Sequence, residues 1–307
     1  MKKYVVIGTL IIFGIVGAII MQKQWPKKSA QKAPTTLQVA ASFYPLYYFT
    51  SQIVGDKGTV LNITPAGAEP HDYEPLPQDI INIEQSKLLV LNGQLEPWGS
   101  EIKTNLAGKS TKILEVGTGL ISRTVTGEDG TVGADPHIWL DPKLAQKIVD
   151  KITASLTQID PSDSKTFQSN HDILIAKLVS LDQEYQTGLA QCTSHDIITS
   201  HAAFGYLGSE YGLTQIPISG LSPDAEPSLQ DLARIAKFAR DNHVQYIFFE
   251  SLVSPKLADT IASEVGAKTL VLSPLEGLTP GEIAAGRDYF SVMRDNLTNL
   301  RTALICQ

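Results

Sequence analysis

Three histidines, His71, His137 and His201, stand in short turn-rich segments that are widely separated along the chain. Because of this separation, no single helix or hairpin can hold all three. Each follows a proline or an apolar, strand-like run, where a loop leaves a rigid element, and binding groups concentrate in such loops. Imidazole is the commonest protein ligand for transition metals. The three histidines therefore predict one metal site that the fold assembles from distant loops.

A closed tetrahedral site needs a fourth ligand, and the candidates are the carboxylates near predicted strand ends: Glu69, Asp141, Glu250 and Glu276. Glu276 stands in the loop segment SPLEGL and is the best placed to reach a cleft. Glu250 follows a strongly apolar run, where an unpaired carboxylate is costly, so it is a candidate to accept a hydrogen bond from a ligand imidazole. Asp141 could do the same for His137, four residues before it.

The remaining histidines have ordinary positions. His171 falls within a helical stripe, and His195 and His243 fall in turns between a helix and a strand. We therefore expect these three side chains to be packing or capping residues and not metal ligands.

Short apolar runs alternate with amphipathic helical stretches from residue 37 onwards. Apolar runs separated by helices are typical of a buried parallel sheet. The predicted strands are 37–42, 60–64, 88–92 and 112–116 in the first half, and 196–199, 216–218, 244–249 and 269–272 in the second. Residues 117–135 are rich in Gly and Thr and predict an exposed loop. In open α/β sheets ligands bind at the carboxyl ends of strands, where His201 and Glu276 stand.

One long apolar stripe divides the chain. Apolar residues recur at steps of three or four from Phe167 to Leu189, which predicts a helix of about 25 residues and therefore about 37 Å. We therefore predict an α/β fold with two lobes, each a mostly parallel sheet flanked by helices, joined by one long rigid helix. The predicted limits are 37–160 for the first lobe, 161–191 for the linking helix and 192–307 for the second lobe.

The first 36 residues differ from the rest in composition. Residues 4–21 are apolar except for Thr9. The length of this segment is at the lower limit for a helix that spans a bilayer. No clean small-x-small cleavage site follows, so we interpret this segment as an uncleaved membrane anchor, with a cleaved signal peptide as the alternative. Residues 22–36 are polar and rich in lysine, which is typical of a tether.

Charge and cysteine content narrow the class of protein. The chain has a formal net charge of −7, and every charged residue before position 37 is a lysine, so the remainder is strongly acidic. This charge disfavours a nucleic-acid partner, which needs a basic face. The two cysteines, Cys192 and Cys306, fit one disulfide in an exported domain, with two unpaired core thiols as the alternative.

Four segments together carry a family resemblance. PHDYEP, DPHIWLDP, SHAAFGYL and SPLEGL, in this order, resemble the solute-binding proteins of bacterial zinc/manganese ABC importers. The match runs from about residue 37 to residue 307 and includes the long central helix. The resemblance implies that the metal lies in a cleft between the lobes, held by His71 and His137 from the first lobe and by His201 and Glu276 from the second.

The sequence departs from the family pattern at two places. Many members carry an Asp as the last ligand, slightly before the position of Glu276, where this chain has Pro274. Zinc-binding members also often have a long His-rich loop before the second histidine, whereas residues 117–135 contain no histidine. Three imidazoles and one carboxylate favour Zn²⁺, because Mn²⁺ prefers more oxygen donors.

The resemblance implies an extracytoplasmic monomer that is not an enzyme. It would bind Zn²⁺ at the cell surface or in the periplasm and deliver it to an ABC permease and its ATPase. The alternatives are a manganese-binding member of the family, a zinc-dependent hydrolase, and a surface adhesin or metal-buffering protein. Because a rigid linking helix limits hinge closure, we expect metal release to involve movement of the loops that carry His201 and Glu276.

Overall fold

The computed structural model of the chain describes residues 37–126 and 132–307. The predicted anchor, residues 4–21, and the predicted tether, residues 22–36, lie outside the described residues. Within the described ranges, no helix combines the length and the apolar character that crossing a membrane requires.

The first lobe contains a four-stranded parallel sheet in the order β2-β1-β3-β4. The strands are β1 (Leu37–Ala41), β2 (Gly58–Asn62), β3 (Leu88–Leu91) and β4 (Lys112–Glu115). Every residue of β3 is buried, as expected for an inner strand of a parallel sheet that is covered on both faces. The four strands predicted for this half are therefore confirmed to within a few residues.

Four helices flank this sheet: α1 (Tyr44–Val54), α2 (Pro77–Gln85), α3 (Gly99–Asn105) and α4 (Pro142–Ile159). A proline in the first turn starts α1, α2 and α4, because its fixed φ suits that turn and its missing N–H is not needed there. The seven-residue α3 was not predicted, since so short a segment shows little periodicity.

The prediction of an exposed loop over residues 117–135 is only partly right, because two short strands form within it. Thr124–Thr126 (β5) pairs in antiparallel fashion with Val132–Ala134 (β6). Each strand has only three residues, too few for an apolar alternation to be recognised in the sequence.

The predicted long helix is α5 (Ser164–Leu189), which has 26 residues. It packs against α1 and α4 of the first lobe and against the last helix of the second. Its buried positions are Phe167, Leu174, Leu178, Leu181, Asp182, Tyr185 and Leu189. Since burying one large apolar side chain stabilises by about 1.5–3 kcal/mol, this helix is a central part of the core and not a loose connector.

The second lobe repeats the architecture with a parallel sheet in the order β10-β9-β7-β8. Its strands are β7 (Asp196–Thr199), β8 (Thr214–Pro217), β9 (Tyr246–Phe249) and β10 (Lys268–Val271). Its helices are α6 (Gly205–Tyr211), α7 (Leu229–Asp241), α8 (Lys256–Val265), α9 (Pro280–Ala284) and α10 (Tyr289–Leu304). The α/β class with two lobes is therefore confirmed, while the five-residue α9 was not predicted.

One apolar cluster runs through both lobes and the linking helix. Tyr289 of the second lobe stacks on Tyr48 of the first at 6.0 Å between ring centroids, and it meets Phe49 edge-on at 4.8 Å. A hinge motion between the lobes would have to open this close-packed contact. We keep residues 37–160, 161–191 and 192–307 as our proposed limits of the first lobe, the linking helix and the second lobe.

The C-terminus is tied to the start of the second lobe. Cys192 and Cys306 form a disulfide across a sequence separation of 114 residues, so the alternative of two unpaired thiols does not hold in this structure. The backbone N–H of Thr193 donates to the carbonyl of Leu304 at 3.0 Å, and that of Gln307 donates to Gln191 at 2.9 Å. The disulfide therefore holds the end of α10 beside the chain that enters β7.

We predict that replacing both cysteines, Cys192→Ser with Cys306→Ser, lowers the free energy of unfolding by about 2–4 kcal/mol, because the unfolded chain loses a long closed loop. Urea unfolding followed by circular dichroism measures this change. Reduction of the unmodified protein should reproduce it. An unchanged midpoint and slope for the double variant would contradict the prediction.

Candidate metal centre

Three imidazoles converge on one carboxylate oxygen. The Nε2 atoms of His71, His137 and His201 lie 3.2, 3.1 and 3.2 Å from Oε1 of Glu276. The four potential ligand atoms all lie within 4.8 Å of one another. The structure thus brings together the four side chains that the family resemblance implied.

Three of these residues follow strands of the two parallel sheets at their carboxyl ends, as is general in open α/β folds, and His137 follows the antiparallel pair β5–β6. His71 lies in the loop between β2 and α2, and His137 lies between β6 and α4. His201 follows β7 by two residues, and Glu276 lies in the loop between β10 and α9. Each lobe therefore contributes two of the four side chains, and the centre depends on how the lobes pack.

The centre is almost closed to solvent. His137 and His201 have no exposed surface, Glu276 is 1% exposed, and the side chain of His71 is 11% exposed. His71 therefore marks the solvent side. Burying a carboxylate is costly unless it is paired, so these four groups are stable together only as mutual partners or around a cation.

The charges of the four groups depend on one another. Burial alone would raise the pKa of Glu276, but the rings of His201, His137 and His71 outweigh burial and hold that pKa well below its ordinary value. Burial also opposes the charged forms of His137 and His201, yet neighbouring carboxylates raise the pKa of both rings. Because the raised pKa values favour the protonated rings of His137 and His201, a metal ion must compete with protons for these two ligands.

A second carboxylate holds each of the two innermost rings. Nδ1 of His137 lies 2.8 Å from Oδ1 of Asp135, which also accepts the backbone N–H of His137 at 3.1 Å. Nδ1 of His201 lies 2.7 Å from Oε1 of Glu250. A carboxylate at Nδ1 favours the tautomer that leaves Nε2 free for a metal. The acceptor role expected for Glu250 therefore falls on His201.

Asp141 does not hold His137, and that expectation is corrected. The Asp141 carboxylate accepts the backbone N–H groups of Lys143 at 2.7 Å and Leu144 at 3.4 Å, as the N-cap of α4. An Asp before a proline at the start of a helix is a strong cap, so the Asp141 carboxylate binds the first turn of α4 and not the ring of His137. Asp135, two residues before His137 in the segment ADPH, takes the place that we had assigned to Asp141.

Glu69 lies beside the centre but not among the four converging atoms. Its Oε1 accepts the backbone N–H of His71 at 3.2 Å. Burial, followed by the nearby charge of Glu276, raises the pKa of Glu69 to about 9. Glu69 therefore orients the His71 backbone through this hydrogen bond from a position beside the centre.

Four of the six distances between the potential donor atoms match those around a tetrahedral metal ion. Nitrogen and oxygen donors at 2.0–2.1 Å from a tetrahedral zinc are separated by about 3.3 Å. The atoms of the centre are 3.1–3.2 Å from Oε1 of Glu276, and His137 and His201 are 3.2 Å apart at Nε2. The second oxygen of Glu276 is buried and has no hydrogen-bond partner among the described residues. A cation at this position would pair with that carboxylate.

Residues 39–303 match the protein family described as "Zinc-uptake complex component A periplasmic" (ZnuA). The chain belongs to this family. It is 42% identical to the high-affinity zinc uptake system protein ZnuA of Bacillus subtilis (strain 168), and the match covers 91% of both chains.

A second relative is longer than this chain. The zinc-binding lipoprotein AdcA of Streptococcus pneumoniae (strain ATCC BAA-255 / R6) is 40% identical over 88% of this chain but only 56% of its own length, so the chain spans about half of that protein. The crystal structure of the Zn(II)-bound ZnuA-like domain of S. pneumoniae AdcA has a TM-score of 0.76 and 40% identity, and covers 88% of this chain and 99% of that domain. The family assignment and the fold therefore agree.

We predict that Asp141→Asn stabilises the protein at pH 7. Burial raises the pKa of the Asp141 carboxyl to about 6, so the ionised form is unfavourable in the folded state, and stability is lost as the pH rises through that value. Asparagine caps a helix about as well, and we expect a gain of about 1–2 kcal/mol at pH 7. The gain should disappear near pH 4, where the carboxyl is protonated. Urea unfolding at both pH values measures this, and an equal gain at both would contradict it.

Proposed function

We propose that this protein captures Zn²⁺ outside the cytoplasmic membrane and delivers it to an ABC permease for import. The convergence of three imidazole nitrogens and one carboxylate oxygen carries this proposal. Membership of the zinc-uptake family supports it. Zinc is the cargo in this proposal, and His71, His137, His201 and Glu276 are the residues that hold it.

The donor set supports zinc over manganese. Imidazole nitrogen suits Zn²⁺, whereas Mn²⁺ favours carboxylate, carbonyl and water oxygens. Only one of the four converging atoms is an oxygen, so the donor set is rich in nitrogen and matches the preference of Zn²⁺.

The same arrangement supports binding and not catalysis. A catalytic zinc keeps one coordination position open for water or substrate. Four protein ligands fill a tetrahedral shell, and three of these side chains are almost wholly buried. This is the arrangement of a carrier that holds its ion away from solvent.

The proposal extends to the parts of the chain outside the described residues. The apolar segment 4–21 would anchor the protein in the cytoplasmic membrane, and the polar segment 22–36 would tether the two lobes to it. The protein would act as a monomer at the outer surface of that membrane, beside its permease and ATPase.

We predict that the full-length protein binds one zinc ion, and that His71→Ala, His137→Ala, His201→Ala and Glu276→Ala each lose stoichiometric zinc, because each removes one of four donors. Native mass spectrometry during a zinc titration measures this. His171→Ala is the matched control. His171 lies on α5 and is not one of the four converging residues, and its Nε2 lies 2.7 Å from Oδ1 of Asp150 on α4. Stoichiometric zinc in all four variants would contradict the proposed site. Retention in the Glu276 variant alone would point to Glu69 as a substitute ligand.

We also predict that Glu250→Gln weakens zinc binding about 10–100-fold while leaving the stoichiometry at one. Glutamine keeps the shape and can still accept from Nδ1 of His201, but it removes the charge that makes the imidazole a stronger donor. Competition with a chromophoric zinc chelator measures the affinity. Glu264→Gln is the control, because Glu264 pairs with Arg240 on the exposed surface of the second lobe. Equal affinities for the Glu250 variant and the unmodified protein would contradict this role.

A further inference from the structure

The loop that carries Glu276 is held from its own lobe by α10. The backbone N–H of Ser273 donates to Oδ1 of Asn296 at 2.9 Å, and Nδ2 of Asn296 donates to the Ser273 carbonyl at 2.7 Å. Asn296 is 1% exposed and Ser273 is 5% exposed, so water does not compete for these two bonds. The start of the loop therefore has a fixed position relative to α10.

Trp139 holds the same loop from the first lobe. Its indole Nε1–H donates to the carbonyl of Pro274 at 2.8 Å, and the residue is fully buried. The indole also packs against the ring of His137, with 5.2 Å between ring centroids. The hydroxyl of Tyr289 donates to the Trp139 carbonyl at 2.6 Å and fixes the backbone at this residue. Trp139 thus contacts a candidate ligand of the first lobe and the loop that carries the carboxylate of the second.

Directly after these two fixed points, Ser273 and Pro274, the loop adopts an unfavourable backbone conformation. Leu275, directly before Glu276, has φ of 56°, in the left-handed region that non-glycine residues rarely occupy. Its side chain is fully buried, and its N–H donates to Oγ of Ser273 at 3.2 Å. Such a conformation persists only where surrounding contacts hold it. Here it turns the chain so that Glu276 reaches the imidazoles.

We propose that Trp139 is a positioning residue of the metal centre, and that its hydrogen bond to Pro274 holds the Glu276 carboxylate in place before the metal arrives and slows the departure of the metal. This inference rests on the proposed function, since it assigns Trp139 to zinc binding at the same four residues. It also revises our expectation that the Glu276 loop moves on release. Moving that loop would leave a buried indole N–H and the polar groups of Asn296 without partners, which is costly.

The test is Trp139→Phe in the full-length protein, which keeps an aromatic ring against His137 and removes the indole N–H. We expect one bound zinc, a dissociation rate at least about fivefold faster, in line with the loss of one buried hydrogen bond, and altered d–d absorption of the Co²⁺-substituted protein. Hydrogen exchange of peptides covering residues 273–278 should increase in the zinc-free variant and remain slow in the zinc-free unmodified protein.

Tyr185→Phe is the matched control. The hydroxyl of Tyr185 also donates to a backbone carbonyl, that of Met293, at 2.7 Å in the buried core, and this carbonyl belongs to α10 and not to the Glu276 loop. This variant should lose thermal stability and keep the zinc dissociation rate and the Co²⁺ spectrum of the unmodified protein. A merely structural role for Trp139 predicts the same behaviour for both variants.

Three outcomes separate the hypotheses. If the unmodified protein does not bind stoichiometric zinc, the proposed function fails. If it binds zinc and Trp139→Phe matches it in dissociation rate, Co²⁺ spectrum and hydrogen exchange, the role of Trp139 is overturned. Should the variant not fold, ¹⁵N NMR of the unmodified protein decides: slow exchange of the Trp139 indole N–H without zinc supports the proposal, and fast exchange overturns it.

Discussion

The burial of the Glu276 carboxylate is the constraint on which the rest of the structure depends. A carboxylate with 1% exposure needs partners, and three imidazoles from distant parts of the chain supply them. Two of these rings carry carboxylates of their own, Asp135 and Glu250, so the centre alternates negative and positive groups outward from Glu276. Removing His137 or His201 leaves a buried carboxylate, Asp135 or Glu250, without its imidazole partner, which is costly.

A centre of this kind needs a rigid frame, because two of its four side chains come from each lobe. The long helix α5 and the aromatic contact of Tyr289 with Tyr48 and Phe49 supply that frame through one continuous core. The hydrogen bond from Trp139 to Pro274 extends it to the Glu276 loop. Rigidity keeps the three imidazole nitrogens about a tetrahedral edge from Oε1 of Glu276, so these contacts need little reorganisation when a metal binds. The same rigidity slows release, because the buried contacts must break first.

Much of the fold could be predicted from the sequence, since its signals are local. The eight strands of the two parallel sheets are short apolar runs, and α5 shows its period over many turns. The ligand candidates were also recognisable, because His71, His137 and His201 follow prolines or strand ends. The short elements were missed for the same physical reason: α3, α9 and the β5–β6 hairpin contain too few residues to display a period.

The pairing of side chains is harder to predict from the sequence. Several carboxylates lie near each imidazole along the chain, and the direction of the backbone decides which of them contacts the ring. Asp141 and Asp135 lie on either side of His137, and a count of residues does not separate them. The proline after Asp141 opens α4 and turns that carboxylate toward the N–H groups of the first helical turn, while Pro136 folds the chain so that Asp135 returns to His137. Residues that start helices are therefore poor candidates for binding sites, even when a metal ligand lies one turn away, because capping already uses their oxygens.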